Sequence, residues 1–363
     1  MSSLLYKEDT LKTSHKKPQT TFNSWNTILN LFLRGSIPFF LLVACHKHEK
    51  SHLDLSLLLT SSAIAEAVAA AGNPNCIPEI GCNTVKAAND WSEIQVGELP
   101  IIITAPHGGS LLPAEMKTRT MGTLGNDSNT ADLALKIRNE LQKLLGKKPH
   151  LILNHLDRSK IDMNRSTGQA VDNENDPDFQ TNLRAYADFH RFINLTRNHI
   201  AGKFTRGILV DIHGHAQDEN IVQIGLDLTE AELESNENNW AANNLHRSSS
   251  LRSLVENGSM TLKEAILGND AVGTLLEEKG FPSFPNRQLR NFATTATNHY
   301  FTGGYNTATY GSGSSGRIDS FQMETPGPNL RNAENTRADF AKKFAESFVQ
   351  FLRRANYPGI PQN

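Results

Sequence analysis

The feature that most constrains this chain is the alternation of short β-branched runs with helical hydrophobic periods between residues 99 and 354. Leu99-Pro100-Ile101-Ile102-Ile103-Thr104-Ala105 has the composition of a buried strand. Asn129–Leu145 carries Leu133, Ile137, Leu141, Leu144 and Leu145 at helical spacing and stops at Gly146, a residue suited to the left-handed turn that ends helices. His150–Asn154 reads as a second strand. Leu183–Ile200 reads as an amphipathic helix with Tyr186, Phe189, Ile193 and Ile200 on one face, and Gly207–Ile212 as a third strand. A late strand over 319–325 and a terminal helix over 334–354 follow. This pattern predicts an α/β fold, a mostly parallel mixed sheet flanked by helices, with ligands gathering at the carboxyl ends of strands. One domain is expected over 91–356. It includes an insertion at 227–300, rich in Asn, Ser, Glu and Gly, that should form helices and loops over the site.

Several function classes are disfavoured. The formal net charge of −2, with no clustered basic surplus, gives no sign of a nucleic-acid partner. No run of about 18 unbroken apolar residues exists to cross a bilayer. Three cysteines are too few for a cysteine-built zinc site. The N-terminal region reads differently from the rest. Arg34 precedes a short apolar run that ends in Leu42-Val43-Ala44-Cys45, which resembles the lipobox of bacterial lipoproteins, where the signal is cut before a lipid-bearing cysteine. Residues 1–45 are therefore expected to be a signal region. The chain would be exported and held in the bacterial cell envelope, periplasm or outer membrane, by a lipid on Cys45 alone; the other reading is a buried strand with a chance cysteine. Residues 46–90 form a tether and extension. They contain the tract His46-Lys47-His48-Glu49-Lys50-Ser51-His52, a possible amphipathic helix at 54–71, and Cys76 and Cys82, either paired in a small loop or present as free thiols.

The polar motifs fall at the ends of the apolar strands. Pro106-His107-Gly108-Gly109 follows the first strand, with glycines that would let backbone approach a ligand. Asp211-Ile212-His213-Gly214-His215 follows the third. Two histidine clusters so placed suit a divalent metal such as zinc, with a carboxylate orienting an imidazole. Arg158-Ser159-Lys160-Ile161-Asp162-Met163-Asn164-Arg165 offers guanidinium groups for a substrate carboxylate, since the fork matches two oxygens. Gln322-Met323-Glu324-Thr325-Pro326 places one glutamate on an otherwise uncharged strand, where it could serve as general base. Phe301-Thr302-Gly303-Gly304-Tyr305 reads as a flexible turn able to close over a substrate. No Gly-x-Ser-x-Gly elbow follows a strand, which disfavours a serine hydrolase.

Taken in order, these motifs resemble the N-formylglutamate amidohydrolase family. They are Pro106–Gly109, an aspartate before the first helix, Arg158–Arg165, Asp211–His215, Tyr300–Ser312 and Gln322–Pro326 with a following arginine, and they span roughly residues 98–352. The family is related to zinc carboxypeptidases and the aspartoacylase group. The resemblance implies a zinc-carboxypeptidase-like fold with His107 and His213 as zinc ligands. It favours Asp127 as the acidic ligand, with Glu115 the alternative. It further implies Glu324 as general base, Arg158 as the group polarising the scissile carbonyl, and Asn164 and Arg165 as the clamp on a substrate carboxylate. His215 would contact substrate, bind metal or merely sit in the turn, Tyr305 would contact substrate, and Asp211 would orient a metal-bound group. The expected reaction is zinc-dependent hydrolysis of an amide in a small molecule or peptide bearing a free carboxylate. An exported peptidase, a poly-γ-glutamate or cell-wall amide hydrolase, and a non-catalytic metal- or peptide-binding lipoprotein are the competing readings. The last has no need of Glu324.

Overall fold

The computed structural model describes residues 73–172, 179–289, 291–292, 294–295, 297–314 and 316–362, all within one compact unit, Leu59–Asn363. The signal region, Cys45, the histidine tract and the helix read at 54–71 lie outside the described residues.

Eight strands form one mixed sheet: β1 (Thr84–Lys86), β2 (Ser92–Gln95), β3 (Ile101–Ala105), β4 (His150–Asn154), β5 (Gly207–His215), β6 (Val222–Gly225), β7 (Ser283–Phe284) and β8 (Ile318–Pro326). Their order across the sheet is β1-β2-β4-β3-β5-β8-β6-β7. The central four, β4, β3, β5 and β8, are parallel. The flanks are joined to them antiparallel, β2 on β4 and β6 on β8. No predicted strand announced these flanks, because two to four residues carry too little pattern to be seen without their partners.

The apolar run in β3 is buried on both faces, as central parallel strands are. Ile101, Ile103 and Ala105 face one core with α1 (Thr130–Leu145) and the terminal helix, α8 (Glu334–Arg354). Ile102 faces the other, with Phe189, Phe192, Ile193 and Ile200 of α2 (Phe179–Phe204). Alternate residues on opposite faces is the period of a strand. Gly146 closes α1 at φ 71°, its N–H donating to the Gln142 carbonyl, as its place in the sequence predicts. Cys76 and Cys82 are joined as a disulfide.

The insertion differs from expectation in its position. It forms α3 (Glu230–Glu234), α4 (Arg252–Glu256), α5 (Leu262–Leu267) and α6 (Val272–Glu278), preceding β7. Leu233, Trp240, Leu254, Leu262, Ile266 and Leu276 join the α1/α8 core, so these helices extend the body of the protein. Among its described residues only Thr297 and His299, at its end, line the site described next. The reason is apolar content: these short helices carry leucines that gain more from the core than from a solvated cover.

Candidate metal centre

Three elements deliver three potential ligands. His107 stands two residues past β3, His213 lies within β5 opposite Glu324 of β8, and Asp127 sits in the loop that leads into α1. The Asp127 N–H donates to the His107 carbonyl at 3.1 Å, which pins the loop to the end of β3. All three side chains are buried. One ligand atom from each falls within 4.8 Å of the others. Asp127 Oδ2 is 3.3 Å from His107 Nδ1 and 3.1 Å from His213 Nδ1. Glu115, the other acid considered, is exposed.

The far side of each imidazole is held by a carboxylate. His107 Nε2–H donates to Asp162 Oδ1 at 2.7 Å, and His213 Nε2–H to Asp211 Oδ2 at 2.8 Å. Asp211 is itself fixed by the Thr104 hydroxyl and by Asn306 Nδ2 at 3.2 Å. Protons committed to Asp162 and Asp211 leave both Nδ1 lone pairs facing the Asp127 carboxylate. Three acceptors converging in a buried place repel one another unless a cation lies between them, so the donor set fits a divalent ion such as zinc. With no cation between them, the same surroundings draw protons onto His213 and Glu324 instead. Burial opposes charge on His213, yet Asp211 and Asp127 push it up to about 10. Burial, reinforced by the Asp127 charge, pushes Glu324 up to about 7 against the pull of His213.

These groups line a cavity of about 660 Å³. Glu324 Oε1 accepts from Gln322 Nε2 at 2.8 Å, while its buried Oε2 has no hydrogen-bond partner among the described residues. Arg158 also lines the cavity; its Nε–H donates to Asp162 Oδ2 at 3.0 Å and its Nη1 lies 3.5 Å from Asp127 Oδ1. Asn164 is committed internally, accepting the Asn306 N–H on Oδ1 at 2.8 Å and placing Nδ2 3.5 Å from Gln322 Oε1. Arg165 is half-buried at the cavity wall, with Nη1 donating to the Asn164 carbonyl at 2.7 Å.

Some expected roles are not supported by position. His215 lines the cavity, but its Nε2 meets the Ile221 carbonyl at 2.9 Å and its Nδ1 accepts the Gln217 N–H at 3.3 Å, so both ring nitrogens serve the following turn. Tyr305 begins α7 (Tyr305–Tyr310) and packs on His190, at 5.8 Å between ring centroids, with Gly303 and Gly304 lining the cavity in its place. The 298–302 segment is strapped down. Gln217 Nε2 donates to the His299 carbonyl, the Phe301 N–H to Gln223 Oε1, and the Asp227 N–H to the Thr302 carbonyl. Gly108 and Gly109 serve packing: a Cβ there would lie 2.5 Å from Ala131 N and 2.2 Å from the His155 carbonyl carbon.

Asp162, Asn306 and Gln322 were not singled out from the sequence. Asp162 sits between the apolar Ile161 and Met163, and a lone acid between two apolar residues was the available signal.

No protein-family model matches the chain, and no curated protein does either. Among solved structures the chain is similar to an N-formylglutamate amidohydrolase from Ralstonia eutropha JMP134, at 15% identity and TM-score 0.44, over 72% of this chain and 94% of that one. It is similar to a gene product of Agrobacterium tumefaciens at 10% identity and TM-score 0.43, over the same shares of the two chains, 72% and 94%. A zinc-free form of YNDL matches at 15% identity and TM-score 0.30, over 74% and 92%. Likeness at this level does not carry a function from one protein to another.

Proposed function

We propose that this chain is a metal-dependent hydrolase that cleaves an amide bond in a carboxylate-bearing substrate, an N-acyl amino acid or a related small molecule or peptide. The observation that carries the reading is the convergence of two carboxylate-backed imidazoles and Asp127 beside a buried glutamate with a free oxygen. His107, Asp127 and His213 would hold zinc, which supplies a Lewis acid for the carbonyl and acidifies a water. Glu324 takes a proton at Oε2 from the attacking water; the water oxygen joins the carbonyl carbon, the carbon–nitrogen bond breaks, and Glu324 returns the proton to the departing nitrogen. The unpartnered Oε2 is the atom free to accept and return that proton. Arg158 stands at the cavity wall to stabilise developing oxyanion charge. Arg165 is the cation placed to hold the substrate carboxylate.

The lipobox-like Cys45 supports an exported, lipid-anchored setting, in which a peptide, a poly-γ-glutamate chain or a cell-wall amide would be the encountered substrate. Incorporation of labelled fatty acid, abolished in Cys45→Ala, tests the anchor.

The function is tested by metal content and by hydrolysis of a panel of N-acyl amino acids and γ-glutamyl peptides. Wild type is expected to carry one zinc, and His107→Ala and His213→Ala to lose it. Glu324→Gln should keep the metal and lose roughly 10²–10⁴-fold in rate. A folded wild type that takes up no zinc overturns the reading, and full activity in Glu324→Gln overturns the role of the base.

A further inference from the structure

β8 leaves the site through a π-helical turn, Gly327–Arg331. Such turns are rare and concentrate at functional sites. This one points a buried arginine back beneath the metal ligands. Arg331 Nε–H donates to the Thr325 carbonyl at 2.9 Å, Nη2 donates to the His215 carbonyl at 3.1 Å, and Nη1 donates to the Ser128 carbonyl. Thr325 follows Glu324, Ser128 follows Asp127, and His215 lies two residues beyond His213. One planar group therefore ties together the three chain segments that carry the base and two of the metal ligands. Among the described residues no carboxylate pairs with Arg331, so its donors are committed to backbone. Gly214 makes room for it, since a Cβ there would lie 2.2 Å from Arg331 Cζ. Arg337 braces the turn, with Nη1 donating to the Arg331 carbonyl at 2.6 Å and Nε to Asp132 Oδ2 at 2.7 Å.

We infer that Arg331 is a positioning residue that sets the spacing of Asp127, His213 and Glu324 by clamping the carbonyls beside them. The inference rests on the metal-hydrolase reading above. A lysine in its place presents a point charge and cannot span three carbonyls in one plane. Misplacing reacting groups by about 1 Å is enough to cost roughly 10²-fold.

The test compares wild type, Arg331→Lys and Arg331→Met for zinc affinity by chelator competition, for the visible spectrum of the cobalt(II)-loaded protein, and for thermal unfolding. Both variants are expected to bind zinc roughly 10–100-fold more weakly and to show an altered cobalt band, measured well below their melting temperatures. If Arg331→Met fails to fold, Arg331→Lys, which keeps the charge, decides. Folded variants with lower melting temperatures but wild-type zinc affinity and an unchanged cobalt spectrum would overturn the inference and leave Arg331 a fold-stabilising residue. Wild type that binds neither metal would instead bring down the hydrolase reading, and this inference with it.

Discussion

Asp162 offers the sharpest test of the site. Its carboxylate accepts from His107 Nε2 at 2.7 Å, Asn164 N at 2.9 Å and Arg158 Nε at 3.0 Å, and the Arg119 guanidinium stands 3.9 Å away. In Asp162→Asn the amide oxygen can keep the bonds from His107 and Asn164. The amide nitrogen then faces the Arg158 Nε–H, donor to donor, and the negative charge that makes His107 a strong ligand is gone. Loss of such an outer carboxylate typically weakens metal affinity 10–100-fold, and the added conflict with Arg158 places this case near the upper end, at about 2.7 kcal/mol. The assay is thermal unfolding with and without zinc. At zinc about 1,000 times the wild-type dissociation constant, the wild type gains about 4.1 kcal/mol, whereas a variant binding about 100-fold more weakly gains only about 1.4 kcal/mol. Asp162→Ala serves as the contrasting variant; it strips Arg158 Nε and His107 Nε2 of their acceptor, leaving Asp127 as their remaining carboxylate contact, and should lose more stability before any zinc is added. Equal zinc-induced stabilisation in wild type and Asp162→Asn would refute the argument that Asp162 acts through His107 on the metal.

Two further outcomes are expected away from the site. Asp319 is buried, and burial pushes it up to about 6 from an ordinary 3.8, against hydrogen bonds from the Ser312 and Tyr357 hydroxyls and the Leu254 N–H. Its folded-state value exceeds the unfolded one, so its contribution is fully present below about pH 4 and is lost as pH rises through about 6. The loss is on the order of 3 kcal/mol. Asp319→Asn should therefore gain stability relative to wild type between pH 4 and 7.5 in urea unfolding, and a difference independent of pH would contradict this. Reducing the Cys76–Cys82 disulfide, which spans a sequence separation of 6, should lower stability by about 2 kcal/mol, read as a shift in the urea midpoint; no shift would show that the loop is equally ordered without it.

What could be read from sequence was what local periodicity encodes. The terminal helix, α1 and the four central strands were visible because each carries its own hydrophobic period and, for α1, its own stop at Gly146. α2 runs four residues further at each end than its apolar stripe suggested, since helix ends are decided by packing and solvent as well as by pattern. β5 continues through His213 to His215 because its register with β8, His213 opposite Glu324, sustains it. That pairing spans more than a hundred residues and leaves no local mark. The same limit applies to the site. His107, Asp127, His213 and Glu324 stand out chemically in their strings, whereas Asp162 and Asn306 reach the site by bonding His107 and Asp211 on distant segments. Gly108 and Gly109 look alike in a ligand-binding turn and in a tightly packed one, and only the proximity of Ala131 and His155 distinguishes the two.

The charge balance of the buried centre ties these observations together. Asp127, Asp162, Asp211 and Glu324 are four buried carboxyl groups; among the described residues Arg158 pairs with Asp127 and Asp162, and Arg119 stands 3.9 Å from Asp162. Arg331 contributes positive charge from below, but its donors are spent on backbone carbonyls. Leaving so many carboxylates buried with so little paired positive charge costs several kcal/mol for each uncompensated group. The protein can meet that cost by binding protons, which is the sense of the upward shifts at His213 and Glu324, or by binding a cation. The geometry favours the cation. A proton on His213 Nδ1 satisfies one contact to Asp127 and leaves the His107 lone pair opposed to the same oxygen. A single ion among the three acceptors would satisfy all of them at once and make the local potential at Glu324 more positive, favouring the ionised form that takes the proton the proposed reaction requires.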